Sequence, residues 1–256
     1  MATISPMIKR EPLQTEAYFD QSIAFKKTAI AEDESALKNP EQFAKPEIIA
    51  VSIFLYRRNL LMGEYSRGYP LNELREEFPL IVTAWEALRN IDKEGSFAGL
   101  FKNSLDNYTR ALWLLSLAYL LGVEQPVLLR LLACIRNEGQ DLLFERFVTA
   151  VAPELVRKPA KKLLYPKAYQ PLYDAIDAPA DEQAALMQQF LKKWYQKMSN
   201  AGWHDNHKGQ DGGGFFGYWC WEAAGVAHAF GMDDSSFREM PYYPKDLADY
   251  ARARRS

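Results

Sequence analysis

Apolar residues along the chain recur every three or four positions, and strict apolar–polar alternation is almost absent, so the pattern predicts helices throughout. The first amphipathic segment spans about Thr15 to Ala31, with Phe19, Ile23 and Ile30 on one side. The acidic run Glu32–Glu34 and the turn at Asn39-Pro40 are expected to interrupt it. A second helix is expected to open at Pro46, where proline's missing N–H costs nothing, and to stop near Gly68. Pro70 opens a third, whose Leu71, Leu74, Phe78, Val82, Trp85 and Leu88 form one buried stripe and whose Pro79 is expected to kink it.

Ser104 is the expected N-cap of a helix reaching Gly122 that is apolar nearly all round, which places it at the centre of a core. Pro126 and Gly139 bracket the next helix, and another covers about Gln140 to Val151. The stretch Arg157–Lys167, with Arg157, Lys158, Lys161, Lys162 and Lys167 among Pro153, Pro159 and Pro166, is the most linker-like part of the chain. Helices are expected again at about Asp181–Asn200, Phe216–Phe230 and Lys245–Arg252. The architecture these segments predict is all-α, a bundle of about eight to ten helices. Its N-terminal half (1–125) and C-terminal half (126–256) are expected to pack together.

Composition narrows the function. The 256 residues are 48% hydrophobic and 25% charged, ordinary for a globular protein that buries about 73% of its surface. A formal charge of −2, with neither half a polycation, argues against a dedicated nucleic-acid binder, whose affinity comes from neutralising phosphates. The longest apolar run, Ala111–Val123, has 13 residues, short of the ~20 that span a bilayer, so no membrane partner is expected. The first residues lack the apolar core of a signal peptide, and Cys134 and Cys220 both sit in apolar helical patterns, so a reducing cytoplasm is expected.

The richest stretch for chemistry is Trp203–Glu222, which holds His204, His207, Asp205, Asp211 and a Gly212-Gly213-Gly214 run. A metal-dependent enzyme using His204, His207 and Glu222, with Asp205, Asp211 or His228 in support, is the alternative function these residues allow. Their spacing supports it poorly. No His-Glu-x-x-His pair occurs, and Glu222 and His228 are six apart, not on one helical face. The glycine run lacks the Lys-Ser/Thr ending of a phosphate loop, and no Gly-x-Ser-x-Gly elbow is present. Neither a catalytic residue, nor a metal, nor a cofactor is therefore expected. Glu222 stands inside an apolar run, where its charge needs partners; a structural role with tyrosine, arginine or backbone donors is favoured over catalysis.

Residues 215–252 read FFGYWCWEAAGVAHAFGMDDSSFREMPYYPKDLADYAR, and Gly217, Tyr218, Trp219, Glu222, Ala223, Ala224, Asp233, Asp234, Ser235, Ser236, Tyr243, Pro244, Asp246 and Leu247 carry a pattern. That pattern resembles the C-terminal domain of PoNi immunity proteins, the cognate inhibitors of PoNe-type nuclease toxins. Residues 64–86, EYSRGYPLNELREEFPLIVTAWE, resemble the family's N-terminal helical domain. The resemblance implies a helical, cytoplasmic, non-enzymatic protein that binds one toxin domain. It also implies a genomic setting beside type VI or Rhs-type effectors, many of them DNases. Tyr218, Trp219, Trp221, Glu222, Tyr243 and Pro244 are then expected to define the fold. Because a nuclease site is positively charged, Asp205, Asp211, Asp233 and Asp234 are candidates to face the toxin.

Overall fold

The computed structural model describes residues 7–92, 95, 101–209 and 214–254. Among them are ten α-helices and three short 3₁₀ turns, with no strand, so the protein is all-α. The helices are α1 (Glu16–Ala36), α2 (Pro46–Arg67), α3 (Leu71–Ile91), α4 (Leu105–Leu121) and α5 (Gln125–Ile135), followed by α6 (Leu142–Val151), α7 (Pro166–Asp177), α8 (Ala180–Lys197), α9 (Trp221–Ala229) and α10 (Lys245–Ala253). No helix among the described residues is long and apolar enough to cross a membrane. Cys134 and Cys220 are buried and form no disulfide with each other.

The chain forms two compact units. One comprises Met1–Ala98 with a returning segment, Asp205–Tyr218; the other comprises Gly99–His204 and Trp219–Ser256. In the first unit α2 packs against both α1 and α3. Its core is the apolar stripe of each helix: Phe19, Ile23 and Ile30 from α1, Ile53, Phe54 and Leu60 from α2, and Leu74, Phe78 and Val82 from α3. Thr15 caps α1 by accepting the Tyr18 N–H at 3.1 Å, and Gly68 ends α2 in the left-handed conformation. The acidic run does not break α1. Glu32, Asp33 and Glu34 stand in the helix, which continues to Ala36, because side chains on the solvent face oppose helix formation very little.

In the second unit α4 is buried nearly all round and packs against α5, α9 and α10. Ser104 caps it as expected, accepting the Asn107 N–H at 3.3 Å. Helix α9 crosses α4 at Gly225, where an added Cβ would stand 2.6 Å from Ser116 Oγ and 2.9 Å from Phe147 Cζ; only a glycine allows this approach. Three boundaries differ from the pattern-based expectation. Helix α5 ends at Ile135, three residues before the expected stop, because Arg136 and Asn137 take positive φ. Helix α7 was not expected at all. It begins inside the supposed linker, with Pro166 in its first turn, and buries Tyr169, Leu172, Ala175 and Ile176 at helical spacing. Helix α9 begins at Trp221 rather than Phe216, because Phe215–Cys220 runs extended through Gly217, whose φ is 104°.

Candidate functional site

The family-like segment divides at Tyr218. In the first unit, its leading residues are held by backbone hydrogen bonds: Tyr18 O–H donates to the Phe215 carbonyl (2.8 Å), Ser66 O–H to the Phe216 carbonyl (2.6 Å), and the Tyr218 N–H to Glu11 Oε2 (3.1 Å). The two carbonyls are acceptors that a helix starting at Phe216 would have used for its own first bonds. Glu11 is buried, and burial pushes its carboxyl up despite the Leu13 and Tyr218 N–H donors and the nearby Lys9 and His207. The Tyr218 hydroxyl lies 2.8 Å from His207 Nδ1 and donates to Asn206 Oδ1 at 3.2 Å.

In the second unit the Cys220 N–H donates to the Tyr242 carbonyl at 2.8 Å, and the chain then enters α9. Glu222, in the first turn, has no solvent exposure. Its Oε1 accepts the Trp194 Nε1–H at 2.8 Å from α8 and the Tyr169 hydroxyl at 3.1 Å from α7, while Oε2 has no hydrogen-bond partner among the described residues. Burial raises its carboxyl to about 7; its own backbone N–H and the Trp194 and Tyr169 donors pull the other way and do not prevail. The Tyr169 ring meets Tyr108 edge-on at 5.1 Å, and Tyr108 donates to Asp141 Oδ1 at 2.9 Å. Asp141 also accepts the Phe144 N–H as the N-cap of α6 and the Leu164 N–H at 2.7 Å. Two buried carboxylates joined through tyrosines thus tie α4, α6, α7, α8 and α9 together.

Another buried carboxylate organises the C-terminal end. Asp234 accepts from Arg252 (2.8 Å), Arg238 (3.2 Å) and the Tyr243 hydroxyl (3.1 Å), and beside it a cleft of ≈ 210 Å³ is lined by His228, Met232, Tyr243 and Arg252. Asp234, offered by the sequence as a toxin-facing carboxylate, is therefore 4% exposed and committed to internal donors. Asp233 is exposed, and it caps its own turn through the Ser235 N–H and hydroxyl. Asp205, in the first unit, is partly exposed and paired with Lys208 at 2.8 Å. Asp211 lies outside the described residues. The expected core residues Tyr218, Trp221, Tyr243 and Pro244 are buried, whereas Trp219 is half-buried, with its ring 6.1 Å from that of Trp221.

The residues of the metal reading have other employment. The His204 ring stacks on Tyr195 at 4.3 Å, His207 meets Tyr218, and Glu222 is enclosed by aromatic groups. No group of three or more His, Cys, Asp or Glu side chains placed to hold a metal occurs among the described residues.

Residues 10–133 match the family described as PoNe immunity protein (PoNi), N-terminal, and residues 139–247 match PoNe immunity proteins (PoNi), C-terminal. The chain belongs to the PoNe immunity protein family. Among solved structures it is similar to protein PA2201 from Pseudomonas aeruginosa, with a TM-score of 0.73 over 98% of this chain and 93% of that one at 20% identity, a likeness of fold. No curated protein sequence matches it. In this PoNi chain, several of the residues that carry the family pattern are scaffold. Glu222, Asp234, Tyr243 and Gly217 set the course of the backbone and are enclosed, so they do not offer a contact surface.

Sequence reasoning missed Glu11, Asp141, and the Glu145–Arg157 pair. Asp141 carried a usable signal, an aspartate directly before an apolar helical run. Glu11 carried none, because the Tyr218 N–H that its Oε2 accepts is 207 residues away.

Proposed function

We propose that this protein neutralises a PoNe-type nuclease toxin encoded beside it, delivered by a type VI or Rhs-type system, by binding the toxin domain in the cytoplasm without catalysing a reaction. The observation that carries the reading is the match of both PoNi families, which together cover almost the whole chain. The site geometry is consistent with it: the buried carboxylates serve the scaffold, and the most perturbed of them, Glu222, is sealed from any substrate. Co-expressing the neighbouring toxin with and without this chain tests the reading. Growth restored only when the chain is present supports it, and unrestored growth at matched expression refutes it.

Inhibition by a preformed helical surface needs fast association. Exposed carboxylates supply it by steering toward the basic, phosphate-binding face of a nuclease. Asp205 and Asp233 contribute to that field; Asp234, paired internally, does not. Reversing Asp205 and Asp233 to lysine is expected to lower the association rate constant several-fold at low salt and to flatten its salt dependence. Rate constants unchanged across salt concentrations would remove these residues from the interface field.

A further inference from the structure

Charge and exposed apolar surface are unevenly distributed between the two units. The first carries 13 Lys and Arg against 17 Asp and Glu, the second 18 against 16. Of the large hydrophobic side chains that are strongly exposed among the described residues, Met7, Ile8, Leu13, Phe25, Phe43, Ile48 and Leu80 belong to the first unit and only Val156 to the second.

Three of the seven lie on or beside the α1–α2 hairpin. On α1, Phe25, Ala29 and Asp33 follow one another at four-residue intervals; on α2, Ile48, Ser52 and Tyr56 do the same, so each set forms one surface ridge. The ridges meet where the Phe25 ring, 61% exposed, contacts Tyr56 edge-on at 6.0 Å. Phe43 stands in the connection between the helices. The charges in and around this patch are mainly acidic. Glu32, Asp33, Glu41 and Glu47 make no ion pair among the described residues, against Lys38 and Lys45 of opposite sign. Arg57 is engaged by Glu34, and Lys27 by Glu64. Asp33 is raised by its burial and by Glu32 beside it.

We propose that the outer face of the α1–α2 hairpin is the docking surface for the toxin domain, with Phe25 and Tyr56 as its anchors and the surrounding carboxylates set against a Lys- and Arg-rich, phosphate-binding face of the partner. The proposal rests on the immunity reading and names the surface that performs it. An aromatic pair with a surplus of acidic charge around it has the make-up of an interface hot spot: rings that give large contact area, and a polar rim that selects the partner. A nuclease active face, built to attract phosphates, is positively charged and complementary to that rim.

The test uses the full chain and the toxin domain encoded beside it, with binding followed by surface kinetics and folding checked by thermal melts. Phe25→Ala with Tyr56→Ala is expected to raise the dissociation rate constant at least about tenfold. Glu32→Lys with Asp33→Lys is expected to lower the association rate constant several-fold, more at low salt than at high. Val156→Ser, on the second unit, should leave both unchanged. If the wild-type chain binds the toxin and the folded Phe25/Tyr56 variant binds with the same rate constants, the docking surface is elsewhere. A variant that keeps toxin binding but changes from dimer to monomer assigns the patch to a second copy of this chain and likewise overturns the proposal. A wild-type chain that does not bind the toxin contradicts the immunity reading itself.

Discussion

Glu222 shows how a single residue can be costly to the fold and still hold it together. Its carboxyl is enclosed by Trp194, Tyr169, Trp113 and Cys220, and the donors that reach it do not offset its desolvation. Its folded value of about 7 stands above the ordinary 4.5. The folded state therefore holds a proton that the unfolded chain has released, and stability present below about pH 4.5 is lost as pH rises through 7. That difference is about 3 kcal/mol at 1.36 kcal/mol per unit. Glu222→Gln keeps the acceptor for Trp194 and Tyr169 and removes the titration. The variant's urea midpoint should be nearly flat between pH 5 and 8, where the wild type declines, and should exceed the wild type at pH 8. Parallel pH profiles for the two proteins would show that Glu222 is ionised throughout. Lys26 is the counterpart in the first unit. It is buried, bonded among the described residues only to Ser22, and lowered by desolvation to about 8, so its own cost is relieved only as pH rises from about 8 toward 10.5.

At the scale of elements, the segment between α6 and α7 is no loose linker. Arg157 forks onto Glu145 at 2.7 and 2.9 Å, the Leu142 N–H reaches the Lys162 carbonyl at 3.0 Å, and the Lys158 N–H reaches Glu138 at 2.7 Å. Lys158, Lys161 and Lys162 stay exposed. Arg157→Ala leaves Glu145 buried without its partner. It is expected to cost on the order of 3 kcal/mol by chemical denaturation and to speed tryptic cleavage after Lys161 and Lys162. Unchanged cleavage would mean that the backbone bonds alone hold the strap. The five basic residues and three prolines concealed this order in the sequence, and with it α7, because composition records charge and not whether an arginine is paired. Most other helices were legible, since a buried stripe leaves its period in the sequence, as Leu74, Phe78, Val82 and Trp85 do in α3. The start of α9 was not, because apolar residues continue through Phe215–Cys220 and the bonds that keep them extended come from Glu11, Ser66, Tyr18 and Tyr242, far away in sequence. The candidate toxin-facing carboxylates were legible only as charges; that Asp234 is enclosed by Arg238, Arg252 and Tyr243 depends on packing that no local pattern records.

At the scale of the whole molecule, a net charge of −2 understates what a partner meets, because the two units differ in sign. An inhibitor that works by occupancy must act stoichiometrically, and that separates it from an enzyme, which acts at trace amounts and whose effect grows with time. The decisive measurement is a titration of the purified neighbouring toxin domain with this protein, read as DNA cleavage. Cleavage is expected to fall linearly to zero at one protein per toxin and to stay there however long the mixture is incubated. Cleavage that persists in excess of this protein, or that is abolished by catalytic traces of it, would contradict inhibition by binding.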